Sequence, residues 1–164
     1  MKTLFILRHA KSSWKHHDLA DHDRPLNKRG VRDAVRMGEL LRREELLPDL
    51  ILSSSAVRAR RTVELFIAGS GFEGELVVNR DLYAHYPEAY LDQLIMVDDR
   101  YGSVMVVGHN PGVEELLEAL TGEWERMPTA ALAQVSLSIR SWSELEGETQ
   151  GELVNLWRPK ELTS

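Results

Sequence analysis

Lys2-Thr3-Leu4-Phe5-Ile6-Leu7-Arg8-His9-Ala10-Lys11-Ser12-Ser13 decides the architecture of this chain. An apolar, strand-forming run from Leu4 to Leu7 stops at an arginine and a histidine, the pattern of a strand buried on both faces that empties into a polar loop. Two later stretches share the design. Leu50-Ile51-Leu52 runs into Ser53-Ser54-Ser55-Ala56-Val57-Arg58, and Val104-Met105-Val106-Val107 runs into Gly108-His109-Asn110-Pro111-Gly112. Open α/β sheets bind ligands beyond such strand ends. Three ends therefore offer two arginines and two histidines.

Helical patterns separate the strands. Asn27 is a plausible N-cap for a helix to about Glu45 with Val31, Ala34, Val35, Met37, Gly38 and Leu41 on its apolar face. A serine cap starts a second helix at about Ala56, running to Ala68 and closed by Gly69-Ser70-Gly71. Glu75 to Val78 reads as a strand. Pro87 opens a helix bringing Tyr90, Leu91, Leu94, Ile95 and Val97 to the core, and Pro111 opens another that Thr121-Gly122 ends. Ala133 to Ile139 and Glu152 to Trp157 read as an edge hairpin across the polar stretch Ser141 to Gly151. Alternating strands and helices predict an α/β fold, a three-layer α/β/α sandwich with a mostly parallel central sheet, in one domain over 1–164.

Composition narrows the function classes. At 164 residues and 43% hydrophobic the chain can bury a real core. Zero cysteines excludes disulfides and thiolate metal sites and fits a reducing compartment. No apolar run approaches the roughly 20 residues of a membrane span, and Arg8 and His9 interrupt any signal-peptide pattern, so a cytoplasmic location is expected, without membrane attachment. The net charge of −6 argues against a nucleic-acid partner. Yet Arg8 to Arg32 holds seven Lys and Arg against three Asp, so basic charge gathers near one candidate site. A solvated surface explains Lys28, Arg29 and Arg32; it does not explain Arg8 at a buried strand end.

The side chains suit phosphoryl chemistry. Arg8 and Arg58 are planar forks able to hold a phosphoryl group while staying charged. A first helical turn favours acids over cations, so Arg58 there is better explained by an anion at the helix N-terminus. His9 and His109 have ordinary pKa values near 6.5, so at neutral pH one can be a neutral nucleophile while the other is protonated to stabilise phosphate charge. His16-His17-Asp18 to Asp21-His22-Asp23 raises a metal-hydrolase alternative, disfavoured because no paired-ligand spacing is present; the stretch reads better as a solvated lid. Trp14 and Trp124 are open between lining a substrate mouth and packing.

Together Leu7-Arg8-His9-Ala10, Asp23-Arg24-Pro25-Leu26 with Gly30, Ser54-Ser55-Ala56-Val57-Arg58-Ala59-Arg60-Arg61-Thr62, Val107-Gly108-His109-Asn110-Pro111 and Pro128-Thr129-Ala130-Ala131 resemble the histidine phosphatase (phosphoglycerate mutase-like) superfamily, and within it the short SixA-like phosphohistidine phosphatase branch. The resemblance spans nearly the whole chain. It implies a phosphoglycerate mutase-like fold and a metal-independent phosphatase with no cofactor. It makes His9 the nucleophile and places Arg8, Arg58, His109, Ser12 and Asn110 around the phosphate. Mutase-like members carry a glutamate acid in a Leu-Asn-Glu context where this chain has Leu82-Tyr83-Ala84-His85. That carboxylate is missing, His85 and Glu88 being the candidate substitutes and loop surface the simpler reading of both. A leaving alkoxide needs a proton whereas a phosphorylated imidazole departs more easily, so a phosphohistidine protein is the expected substrate and the chain a monomer. The alternatives are a phosphatase or mutase for small phosphate esters, and a catalytically weak phosphoprotein-binding module.

Overall fold

The structure is a computed structural model that describes residues 1–162; Thr163 and Ser164, the end of the expected domain, lie outside the described residues. One six-stranded sheet runs in the order β3-β2-β4-β1-β5-β6, from β1 (Lys2–Arg8), β2 (Leu50–Ser54), β3 (Glu75–Asn79), β4 (Ser103–Gly108), β5 (Leu132–Leu137) and β6 (Gly151–Trp157). β1 to β4 are parallel and β5 pairs antiparallel with both β1 and β6. The expected hairpin therefore forms the edge.

Alternation along the buried strands builds two cores. Leu4, Ile6, Val104 and Val106 point to one face with Leu116, Leu117 and Leu120, whereas Phe5, Leu7, Met105 and Val107 point to the other with Met37, Leu41 and Phe66. α1 (Lys28–Arg43) and α2 (Val57–Ser70) cover the second face, α3 (Pro87–Leu94) and α4 (Gly112–Thr121) the first. This is the three-layer arrangement, and all of the strand between Leu4 and Leu7 is inaccessible to solvent.

Several boundaries differ from expectation. α2 runs through Gly69 and Ser70 because the left-handed stop comes at Gly71, φ 73°. α3 ends at Leu94, so Ile95 turns outward instead of into the core. The serines do not cap α2: the N-cap is Ala56, with no side-chain bond to the helix, and the hydroxyls serve the site below. Asn27 does cap α1, accepting from Gly30 N–H at 2.8 Å.

The register places the site. Arg8 lies opposite Gly108, and Ser53 opposite Val107, so the C-terminal ends of β1, β4 and β2 stop side by side. From there β1 leads by α1 to β2 on one side of β4, and β4 leads by α4 to β5 on the other side of β1. The strand order switches between β1 and β4, which opens a crevice. Gly108 is required at its edge, since a Cβ there would sit 1.9 Å from the Tyr90 hydroxyl.

Candidate active site

His9 leaves β1 and His109 leaves β4, and their rings meet at 5.1 Å. Both are buried, 6% and 1% exposed. His9 Nδ1 lies 2.8 Å from the Ala10 carbonyl. A carbonyl only accepts, so Nδ1 carries the proton and Nε2 keeps its lone pair. Burial, together with Arg58, Arg8 and Arg24, pushes the His9 pKa down to about 3, outweighing that hydrogen bond. At neutral pH the ring is uncharged and oriented from behind, with Nε2 left free.

His109 is depressed further, to about 2, first by burial and then by His9, Arg58 and His85. Its Nε2 is 2.7 Å from Ser54 Oγ, which already accepts from Ala56 N–H. A hydroxyl accepts twice and donates once, so this contact fits either ring tautomer, while the buried Nδ1 has no protein partner. His109 is thus held neutral, not the cation expected of one member of the pair. Its backbone N–H donates to the Tyr90 hydroxyl at 2.9 Å, fixing the strand end.

The arginines converge from three elements. Arg8 Nη1 donates to the Met127 carbonyl at 3.2 Å, while its buried Nε has no partner. Burial lowers its pKa, partly offset by the Glu114 carboxylate. Arg58, 3% exposed in the first turn of α2, donates to Asp21 O and Oδ2 at 2.8 and 3.1 Å and also keeps a buried, unpaired Nε. Arg24 is buried too, donating to Ser12 Oγ at 2.7 Å. Thr62 joins two of these groups: Ala10 N–H donates to its Oγ1 at 2.9 Å and its hydroxyl donates to the Arg58 carbonyl at 2.7 Å.

The candidates fare differently. Ser12 is buried, with its oxygen bound by Arg24. Asn110 donates from Nδ2 to the Met127 carbonyl and leaves Oδ1 buried and unpaired. His85, exposed, nevertheless packs against His109 at 5.4 Å, so it is more than loop surface. Glu88 stays exposed in the first turn of α3, outside the hydrogen bonds and ring contacts of the site among the described residues. Trp14 and Trp124 do not pack in the core, being 66% and 58% exposed, and Trp14 stacks on Arg24 at 3.7 Å.

Asp21 was missed, because it lies in the stretch read as a solvated lid. It sits in a 3-10 turn, Asp21–Asp23, and binds Arg58, Arg24 and the Tyr83 hydroxyl together. Tyr83 and then the arginines hold its carboxyl far below the ordinary range. Arg24 and Thr62 were in quoted motifs, which was the available signal for them. Among the described residues no group of three His, Asp or Glu is placed to hold a metal ion, and no helix is long and apolar enough to cross a membrane.

Residues 4–83 match the family described as histidine phosphatase superfamily (branch 1). A crystal structure from Agrobacterium tumefaciens, of a protein assigned as the phosphohistidine phosphatase SixA, superposes with a TM-score of 0.83 at 30% identity, covering 96% of this chain and 98% of that one. An uncharacterized chloroplast protein of Arabidopsis thaliana is 34% identical over 154 residues, 87% of this chain and 70% of the relative. Similarity to a 2,3-bisphosphoglycerate-dependent phosphoglycerate mutase of Streptomyces avermitilis reaches 44% but over only 64 residues, 38% of this chain and 25% of the mutase. With an α/β fold of the phosphoglycerate mutase-like kind and a full-length match of this quality, the chain belongs to the histidine phosphatase superfamily.

Proposed function

We propose that the chain is a metal-independent protein phosphohistidine phosphatase. The observation that carries this reading is His9 itself, neutral, with Nδ1–H tied to the Ala10 carbonyl and Nε2 free among three arginines. Nε2 attacks phosphorus in line, and the bond to the leaving group breaks with its electron pair on that group. Arg8, Arg58 and His109 take the equatorial oxygens, with Arg24, Ser12 and Asn110 beside them. Water then attacks phosphorus, the P–Nε2 bond breaks, and phosphate leaves as His9 returns to its neutral form.

A phosphoimidazole takes its proton on its other ring nitrogen and departs neutral, so no enzyme acid is required. An alkyl ester would need one, typically at a cost of about 10²- to 10⁴-fold when it is lacking. An open groove of ≈ 590 Å³, lined by Tyr83, His85 and Tyr86 among others, leads away from His109 and has room for a protein segment. On this reading the chain is a cytoplasmic, monomeric single domain acting on phosphorylated protein. The packing of His85 on His109 favours one second reading, a phosphatase for small phosphate esters with His85 as the acid.

A leaving-group series separates the two. We expect kcat/KM to depend steeply on leaving-group pKa, with phosphohistidine peptide and aryl phosphates turned over well and alkyl phosphates poorly, and His85→Ala and Glu88→Ala to change the alkyl rates little. A flat dependence that steepens in His85→Ala would establish the second reading. The same assay tests metal independence: turnover of an aryl phosphate should persist in EDTA, and loss restored by zinc or magnesium would overturn the mechanism.

A further inference from the structure

A second basic cleft lies between α1 and the C-terminal 3-10 turn Pro159–Glu161, lined by Arg29, Arg126, Arg158 and Lys160 together with Asp33 and Glu161. None of the residues assigned to the His9 pocket lines it. Its volume of ≈ 190 Å³ is roughly six times the share of one liquid water, room for a phosphate-sized head group but short of the usual small-molecule site.

Positive charge is in excess there. Asp33, its side chain 5% exposed, is bracketed by Arg29, Arg32 and Arg36 at 3.9, 3.4 and 3.6 Å, three guanidiniums on one carboxylate. Arg158 is held by Glu125 at 3.1 Å, Glu161 at 3.6 Å and the Arg126 carbonyl at 3.0 Å. Arg126 and Lys160 are exposed and have no acidic partner among the described residues. Four cationic side chains thus line the cleft beside two carboxylates, in a protein whose net charge is −6. A cleft lined mainly by one sign of charge raises the local concentration of counter-ions, and arginine forks suit a phosphoryl group.

We propose that this cleft is a second anion-binding site, for a small phosphorylated or pyrophosphate-like ligand. Its wall is also the back of the catalytic pocket. Arg126, Pro128 and Thr129 line the cleft, while the Met127 carbonyl between them accepts from Arg8 and Asn110. A ligand drawing on Arg126 and Arg158 therefore bears on the segment that seats Arg8.

The test is a titration of the whole protein with pyrophosphate, followed through assigned arginine Nε–Hε resonances at constant ionic strength. Arg29 and Arg158 should shift saturably, and in R126A/K160A their dissociation constant should rise about tenfold or more, as two charge-assisted contacts are lost. The Arg58 shift, which reports the His9 pocket through contacts away from that segment, should keep its wild-type midpoint in the variant. The proposal fails if Arg158 shows no saturable shift, if chloride at the same ionic strength reproduces it, or if R126A/K160A leaves it unchanged. Turnover plays no part in these readouts, so they stand apart from the assignment of His9.

Discussion

His9→Ala should cost at least about 10⁴-fold in kcat on phosphohistidine peptide and on aryl phosphates, since losing a covalent nucleophile removes the reaction path and leaves only binding. Vanadate affinity should survive to a large extent, because the hydrogen bonds that hold Arg8, Arg58 and His109 do not involve the His9 ring. Two measurements on one variant distinguish enzyme from binding module. Wild-type turnover in His9→Ala would sink the nucleophile assignment, and loss of vanadate binding along with turnover would show that the ring is structural. The complementary change, Arg58→Lys, keeps charge but not the fork, and should weaken binding where His9→Ala spares it.

The second large effect is on stability against acid. His9 and His109 are held neutral, near 3 and 2, where an unfolded chain would have them near 6.5. Between those values the unfolded state binds more protons than the folded one, so unfolding free energy rises with pH and falls as acid is added. Each ring contributes about 1.4 kcal/mol per pH unit below 6.5, or roughly 4 kcal/mol for the two between pH 7 and pH 5. That is a large part of a domain stability of about 5–15 kcal/mol. Carboxylates titrate below this window, which leaves the slope to the histidines. Urea melts at pH 7 and pH 5 should show it, and H9N/H109N should flatten most of it. Equal wild-type stability at both pH values would mean that the rings protonate freely in the folded protein.

What was legible in the sequence was what local patterning determines. The run Leu4 to Leu7 ending at Arg8-His9 is readable because a strand buried on both faces has no polar positions, and the prolines and glycines at Pro87 and Gly122 act on their own neighbours. The pairing of Arg8, Arg58, His9 and His109 followed from motif order at strand ends. The rest lies in contacts made across the fold. Ser54 and Ser55 read as a cap because serine before a helix usually is one, yet their partners are His109, 55 residues away, and His22, 33 residues away. Asp21 looked like one more solvated acid in a charged loop, and only the closing of that loop over α2 brings it to Arg58. His109 was taken as a potential cation because burial, which decides its charge, is invisible until the neighbouring elements are in place.

Thr62 carries a consequence for sequence divergence. Its hydroxyl accepts from Ala10 and donates to Arg58 at once, while its surroundings are fully closed to solvent. Valine has the same shape but neither function, and would strand the buried Ala10 N–H, while the Arg58 carbonyl would keep its helical backbone partner. Cysteine is a poor donor, and asparagine is too long for a gap spanned by bonds of 2.9 and 2.7 Å. Serine alone preserves both bonds, at the loss of a methyl contact. A distant relative that keeps the arginine and histidine pairs should therefore keep threonine or serine four residues beyond its second arginine, and a chain with an aliphatic residue there must secure its nucleophile loop by some other route.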